Sequence, residues 1–224
     1  MLENIEVLYH SSIRINKEKT IYIDPFKINR NYNDADIVFI THDHYDHYSE
    51  EDIDKVINEN TIIIIPEELL TKLLRKGINK NAIITVEPNE KYVVQGIKFE
   101  TIPAYNTNKT FHPKENGWVG YIITLDDIRY YIAGDTDITE ENKKVKCDVA
   151  FVPVGGTYTM DFFNNFVNNF SGIIIVVFSF ITLSIKPKIA IPIHYGSVVG
   201  TKQDATDFIK LLNPSIKGII LMKK

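Results

Sequence analysis

Three of the six histidines in this chain fall inside one stretch, His42-Asp43-His44-Tyr45-Asp46-His47, which reads H-x-H-x-D-H directly behind an apolar run. The run, Asp36-Ile37-Val38-Phe39-Ile40, is β-branched and aromatic and of strand length, so Thr41 to His47 leave the carboxyl end of a buried strand. While the backbone stays extended, side chains two apart share a side, which aims His42, His44 and Asp46 together. A helix must follow, because Ser49 with Asp52 three residues on makes a capping-box pattern and Glu50 and Glu51 suit the positive end of the helix dipole. His47 therefore faces the same space from a different direction. Neutral imidazole and carboxylate are the borderline ligands that suit zinc, iron or manganese, and two such ions share a pocket when enough ligands converge. A lone histidine in a loop is ordinarily just solvated; three with an aspartate at this spacing read as a metal site.

The composition admits a compact enzyme and disfavours other classes. A chain of 224 residues, 44% hydrophobic, builds a sizeable core, and nothing in it marks a linker or a repeat, so a single domain over residues 1–224 is expected. A net charge of −4 offers no basic surface to phosphate backbones, which makes a nucleic-acid partner unlikely and a small-molecule substrate the expectation. The single cysteine, Cys147, rules out an intramolecular disulfide framework and suits a reducing cytoplasm, and Met1-Leu2-Glu3-Asn4 lacks a basic region followed by an apolar stretch. From Phe162 to Ile185 the uninterrupted apolar part is shorter than the roughly 20 residues a bilayer requires, so no transmembrane span is expected. Its β-branched and aromatic content favours a buried strand or a hydrophobic insert.

Strands are expected at Ile5 to Tyr9, Ile13 to Ile15 and Thr20 to Ile23, in a hairpin of Tyr92-Val93-Val94 with Ile97 to Ile102, and in a pair, Trp118 to Leu125 with Ile128 to Ala133, across Asp126-Asp127. Helices are expected at Glu50 to Asn58, at Glu67 to Lys76 with Gly77 as terminator, and at Asp204 to Leu212. Strands in two groups with interspersed helices suggest two packed sheets covered by helices. Further candidate ligands repeat the grammar of the first cluster, since Ile128 to Ala133 runs into Gly134-Asp135-Thr136-Asp137 and Lys188 to Ile193 runs into His194-Tyr195. Asp24, behind the strand Thr20 to Ile23, is placed to support a ligating imidazole from behind.

THDHYDH, AGDTD, FVPVGGTYTMD and IPIHYGS, in that order, together with the opening LYHSSIRI and IYIDPF, resemble the metallo-β-lactamase superfamily. The match is to its small stand-alone metal-dependent hydrolases, the group related to ascorbate-phosphate lactonase and N-acyl-phosphatidylethanolamine phospholipase D. The resemblance implies an α+β fold, the αββα four-layer sandwich, with two divalent metal ions, zinc or else iron or manganese. It also implies ligand roles: His42 and His44 on the first ion, Asp46, His47 and His194 on the second, and Asp135 between them. One departure concerns the remaining ligand of the first ion, a histidine in the family, where this chain has Asn106. His112 in a folded-back loop, or His10 from the first hairpin, is the candidate replacement. A second departure is the apolar passage Phe162 to Ile185, which stands where relatives place an amphipathic helix and reads as an insertion or a disturbed reading frame.

The implied chemistry is hydrolysis of a small ester, lactone or phosphodiester by a water whose pKa falls toward neutrality between two cations roughly 4 Å apart, with Asp46 as the catalytic carboxylate that orients that water or takes its proton. Tyr45 and Tyr195 flank ligands and are placed to touch substrate. The rival expectation is a non-enzymatic metal- or ligand-binding module with an incomplete metal site.

Overall fold

The computed structural model describes residues 1–107, 110–155 and 181–222. Its chain divides into two compact units, residues 1–87 with the last residues of the chain, and residues 88–221. Each unit is built on one mixed sheet whose first strands form an antiparallel meander and whose later strands run parallel.

In the first unit the strands are β1 (Ile5–Tyr9), β2 (Ser12–Asn16), β3 (Thr20–Ile23), β4 (Ile37–Phe39), β5 (Ile62–Pro66) and β6 (Ile83–Val86), hydrogen-bonded in that order. β1, β2 and β3 are antiparallel neighbours, whereas β3 to β6 are parallel. Parallel neighbours need a crossover, and two helices supply it: α1 (Glu50–Val56) between β4 and β5, and α2 (Leu70–Lys76) between β5 and β6. The core on that face gathers Val38, Ile40, Ile63 and Ile65 from the strands with Ile53 and Val56 of α1 and Leu69 and Leu73 around α2. Ile37, Phe39 and Ile64, which alternate with these, are also buried. Strands buried on both faces lose the polar–apolar alternation that marks a half-exposed strand, which is why Ile62 to Ile65 reads as an unbroken apolar run.

In the second unit β7 (Lys91–Val94), β8 (Ile97–Pro103), β9 (Val119–Leu125) and β10 (Ile128–Ile132) form the meander, followed by β11 (Val149–Pro153), β12 (Ile189–Ile193) and β13 (Lys217–Gly218) in parallel. Both tight hairpins have the expected chemistry, with Gln95-Gly96 and Asp126-Asp127 all at positive φ as a two-residue type I′ turn demands. The last helix, α3 (Lys202–Leu211), starts two residues before the expected Asp204. Its cap is Thr201, whose hydroxyl accepts from the Asp204 N–H while the Asp204 carboxylate accepts from the Thr201 N–H.

Other boundaries shift for similar reasons. The first expected helix ends at Val56 rather than Asn58, and the second begins as a 3-10 turn, Glu67–Leu69, before becoming α-helical. The strand or insert expected over Phe162 to Ile185 lies outside the described residues except for 181–185, which are helical. The part of FVPVGGTYTMD beyond Gly155 also lies outside them. Among the described residues no helix is long and apolar enough to cross a membrane.

Candidate functional site

In the first unit the candidate residues share one edge of the sheet. β3 and β4 are parallel, so Asp24 and the stretch His42 to His47 leave the same side, and β1, antiparallel to the intervening β2, delivers His10 there as well. Asp24 is buried and receives three hydrogen bonds: Thr41 N at 2.8 Å, Thr41 Oγ1 at 2.7 Å and His47 Nδ1 at 2.7 Å. Burial pushes this carboxyl above its ordinary range, and His47 and the Thr41 bonds pull it back. A carboxylate can only accept, so His47 donates from Nδ1 and its lone pair sits on Nε2. The Thr41 hydroxyl spends its proton on Asp24, and therefore accepts from His42 Nδ1 at 2.8 Å, which puts the His42 lone pair on Nε2 too. The His42 ring lies 4.0 Å from that of His47 and 4.8 Å from that of His44, centroid to centroid. Asp46 is held by His10, whose Nε2 is 3.2 Å from Asp46 Oδ2, and His47 Nε2 is 3.7 Å from the same oxygen.

In the second unit Asp135 follows β10 and His194 follows β12, which run parallel, and both are buried. β8, two antiparallel steps from β10, ends on the same side and leads into the loop that carries Asn106. That loop folds back: Asn106 N–H donates to His112 O at 2.8 Å, and the buried His112 ring lies edge-on to Trp118 at 5.3 Å. His112 Nε2 and His194 Nε2 approach one atom, Asp135 Oδ2, at 3.3 and 3.1 Å. Asp137 ties the loop down, accepting from Thr107 N at 2.8 Å and donating its own N–H to Tyr105 O at 2.9 Å. Glu141 fastens it from outside through Lys114 Nζ and the Tyr105 hydroxyl, both at 2.9 Å, and the Lys114 ammonium is the main reason its carboxyl falls to about 2.

Four of these residues, His10, Asp24, His112 and His194, hold φ between 46° and 61°. Left-handed backbone costs a non-glycine residue about 1–2 kcal/mol, and such strain concentrates where side-chain direction matters more than local comfort.

The donors suit a divalent cation. Among the described residues those that could hold one are His10, His42, His44, Asp46 and His47 in the first unit and His112, Asp135 and His194 in the second. Ligand atoms about 2.1 Å from a tetrahedral ion stand about 3.4 Å from one another, close to the 3.3 and 3.1 Å that separate His112 and His194, each in turn, from Asp135 Oδ2. The tautomers of His42 and His47 put the lone pair on Nε2, the orientation in which a carboxylate or hydroxyl behind an imidazole would present it to a cation.

The seven candidate ligands and Asp24 fall in these two sets, and the structure adds Thr41, which the sequence reading does not single out and which joins Asp24, His42 and His47 through one hydroxyl. Its only signal is its place between the strand and the first histidine. His10, a candidate ligand in the sequence, is within its unit the partner of Asp46. Of the two flanking tyrosines, Tyr45 is 66% exposed, whereas Tyr195 is buried with no hydrogen-bond partner for its hydroxyl among the described residues.

The chain has the α+β metallo-β-lactamase fold, and a family model, the Beta-lactamase superfamily domain, matches residues 4–165. The chain belongs to this superfamily and, within it, to the metal-dependent hydrolases. A UPF0173 metal-dependent hydrolase of Saccharolobus solfataricus is 30% identical over 97% of this chain and 89% of its own, and one of Methanobrevibacter smithii is 29% identical over 97% and 93%. A solved structure from Parabacteroides distasonis, whose name assigns it to the metal-dependent hydrolases, is 29% identical, covers 98% of this chain and 93% of its own, and has a TM-score of 0.76. Igni18, a metallo hydrolase from Ignicoccus hospitalis, shares the fold at 20% identity with a TM-score of 0.73, covering 97% and 94%. These relatives answer the rival expectation of a non-enzymatic module in favour of an enzyme.

Proposed function

We propose that this enzyme hydrolyses a small ester, lactone or phosphodiester at two divalent metal ions, zinc or alternatively iron or manganese. The residues that would hold them are His42, His44, Asp46 and His47 of the first unit and His112, Asp135 and His194 of the second. When bound, such ions lower the pKa of water toward neutrality and polarise a carbonyl or phosphoryl oxygen. The observation that most favours the reading is the hydrogen-bond chain behind the histidines, in which Asp24 and Thr41 fix His42 and His47 with Nε2 forward. Nothing in a merely structural turn requires two adjacent buried imidazoles to share a tautomer.

The side chains then divide the work. Asp46 accepts a proton from the attacking water, and the donor at His10 Nε2 keeps its carboxylate in place. Asp24 remains the support of His47. Asn106 stands beside His112 Nδ1 at 3.3 Å, and a half-turn of its amide sets the oxygen against that nitrogen, which frees Nε2 for an ion. His112 thereby takes the place the family gives to a histidine at position 106. The single cysteine suits the reducing cytoplasm as the site of action.

The test is metal content by elemental analysis together with turnover on a panel of lactones, carboxylic esters and phosphodiesters. The reading expects close to two ions per chain and turnover that stops on chelation and returns with metal. One tightly held ion with no turnover on any substrate contradicts it.

A further inference from the structure

Next to the His10–Asp46 pair, the first unit carries an aromatic wall that no metal role uses. Phe26 is its centre: the ring lies 6.3 Å from His10, 6.1 Å from Tyr9 and 6.0 Å from Tyr45, the last nearly perpendicular at 75°. Lys27 reaches over it, with Nζ 4.9 Å from the Tyr9 ring centre, 5.4 Å from that of Phe26 and 3.4 Å from the Tyr9 hydroxyl. The backbone beneath is fixed, since the Lys27 and Ile28 N–H groups donate to the two Asp52 oxygens at 2.8 and 2.9 Å and Lys27 holds φ of 51°. Tyr45 remains 66% exposed although its chain neighbours are two candidate ligands.

An aromatic ring left in water beside reactive groups is available to a ligand at small entropic cost, because only two torsions need to settle. The Lys27 ammonium, on an exposed side chain, rests on aromatic faces and is placed to meet an anion arriving from solvent. We propose that this wall recognises the substrate: Lys27 meets an anionic group, a carboxylate or phosphoryl oxygens, and the exposed Tyr45 ring, backed by the buried Phe26, receives a flat or apolar body. The inference rests on reading the adjacent residues as a hydrolytic metal centre, and it narrows the substrate to a small anionic ester, lactone or phosphodiester with an aromatic or apolar part.

Calorimetric titration of the metal-loaded protein tests it, with benzoate, phenyl phosphate, inorganic phosphate and neutral phenol as probes. Lys27→Met, which keeps the stem and removes the charge, is expected to weaken benzoate and phenyl phosphate about tenfold with metal content unchanged. Tyr45→Ala is expected to weaken the two phenyl probes and leave inorganic phosphate alone. Benzoate binding Lys27→Met as tightly as wild type, phenol binding wild type as tightly as benzoate, or Tyr45→Ala weakening inorganic phosphate equally would each overturn the proposal. The two readings fail separately: an enzyme that turns over nothing loses the hydrolytic assignment while these titrations still decide the wall, and turnover with titrations indifferent to Lys27 loses the wall alone.

Discussion

Asp24 shows how much one buried carboxylate organises. It faces the Thr41 N–H, the Thr41 hydroxyl and His47 Nδ1, so removing its charge disturbs a ligand orientation without touching a ligand. Asp24→Asn is expected to lower metal affinity about 10- to 100-fold, measured by competition with a chromophoric chelator, because the amide no longer secures His47 with Nε2 forward. Unchanged affinity would remove Asp24 from the site. Cys147 is the opposite case, a residue with chemistry that the fold silences. Burial first, and Asp148 second, push its thiol up to about 12, so at pH 8 the thiolate that would react is scarce. A thiol reagent such as dithionitrobenzoate is expected to label the native protein slowly and the guanidine-unfolded protein at once; fast native labelling would contradict the burial.

Among the elements, α1 has the most consequential start. Ser49 caps it by accepting from the Asp52 N–H, as the sequence pattern implies, but the Asp52 carboxylate turns to other donors instead of completing the capping box with Ser49 N–H. It accepts from Lys27 N, Ile28 N and Ser49 Oγ and pairs with Lys55, binding the loop after β3 to the helix. Burial raises its pKa, yet the Lys55 and Ser49 bonds and the two N–H donors outweigh that and set it below 3.8. A depressed carboxyl contributes stability above its unfolded value that is lost as pH falls through the folded one, so this contribution is complete at neutrality and fades below pH 3.8. Asp52→Ala is expected to cost about 2–3 kcal/mol in urea denaturation at pH 7, from two N–H groups left without acceptors, and less near pH 3. A pH-independent cost would contradict this account.

Legibility in the sequence follows the same physics. The meander strands and both I′ hairpins are readable because alternation and turn residues are local signals. β5, β6 and β11 escape a reading of the sequence: β5 and β11 are apolar runs nearly buried on both faces, and β6 is a short piece between a 3-10 turn and Pro88. Of the site, His42 to His47 can be read from spacing alone, while Asp135 and His194 need the strand-end rule. The Thr41 hydroxyl and the His112 fold-back act through hydrogen bonds, Thr41 to Asp24 in another motif and Asn106 to His112 across a loop, which no periodicity encodes.

At the scale of the whole molecule, each unit brings its candidate residues to one edge of one sheet by the same device, an antiparallel meander followed by parallel strands. Metal binding then adds to folding free energy by mass action, and removal with a chelator is expected to lower the thermal midpoint, with recovery on adding back zinc. A midpoint indifferent to chelation would mean that the native state holds no ion. The most direct measurement is anomalous X-ray scattering from crystals of the metal-loaded protein. The account predicts two peaks, with His42, His44, Asp46 and His47 and also His112, Asp135 and His194 among their ligands. A single peak bound by one unit's residues alone, or peaks away from these seven side chains, would contradict it.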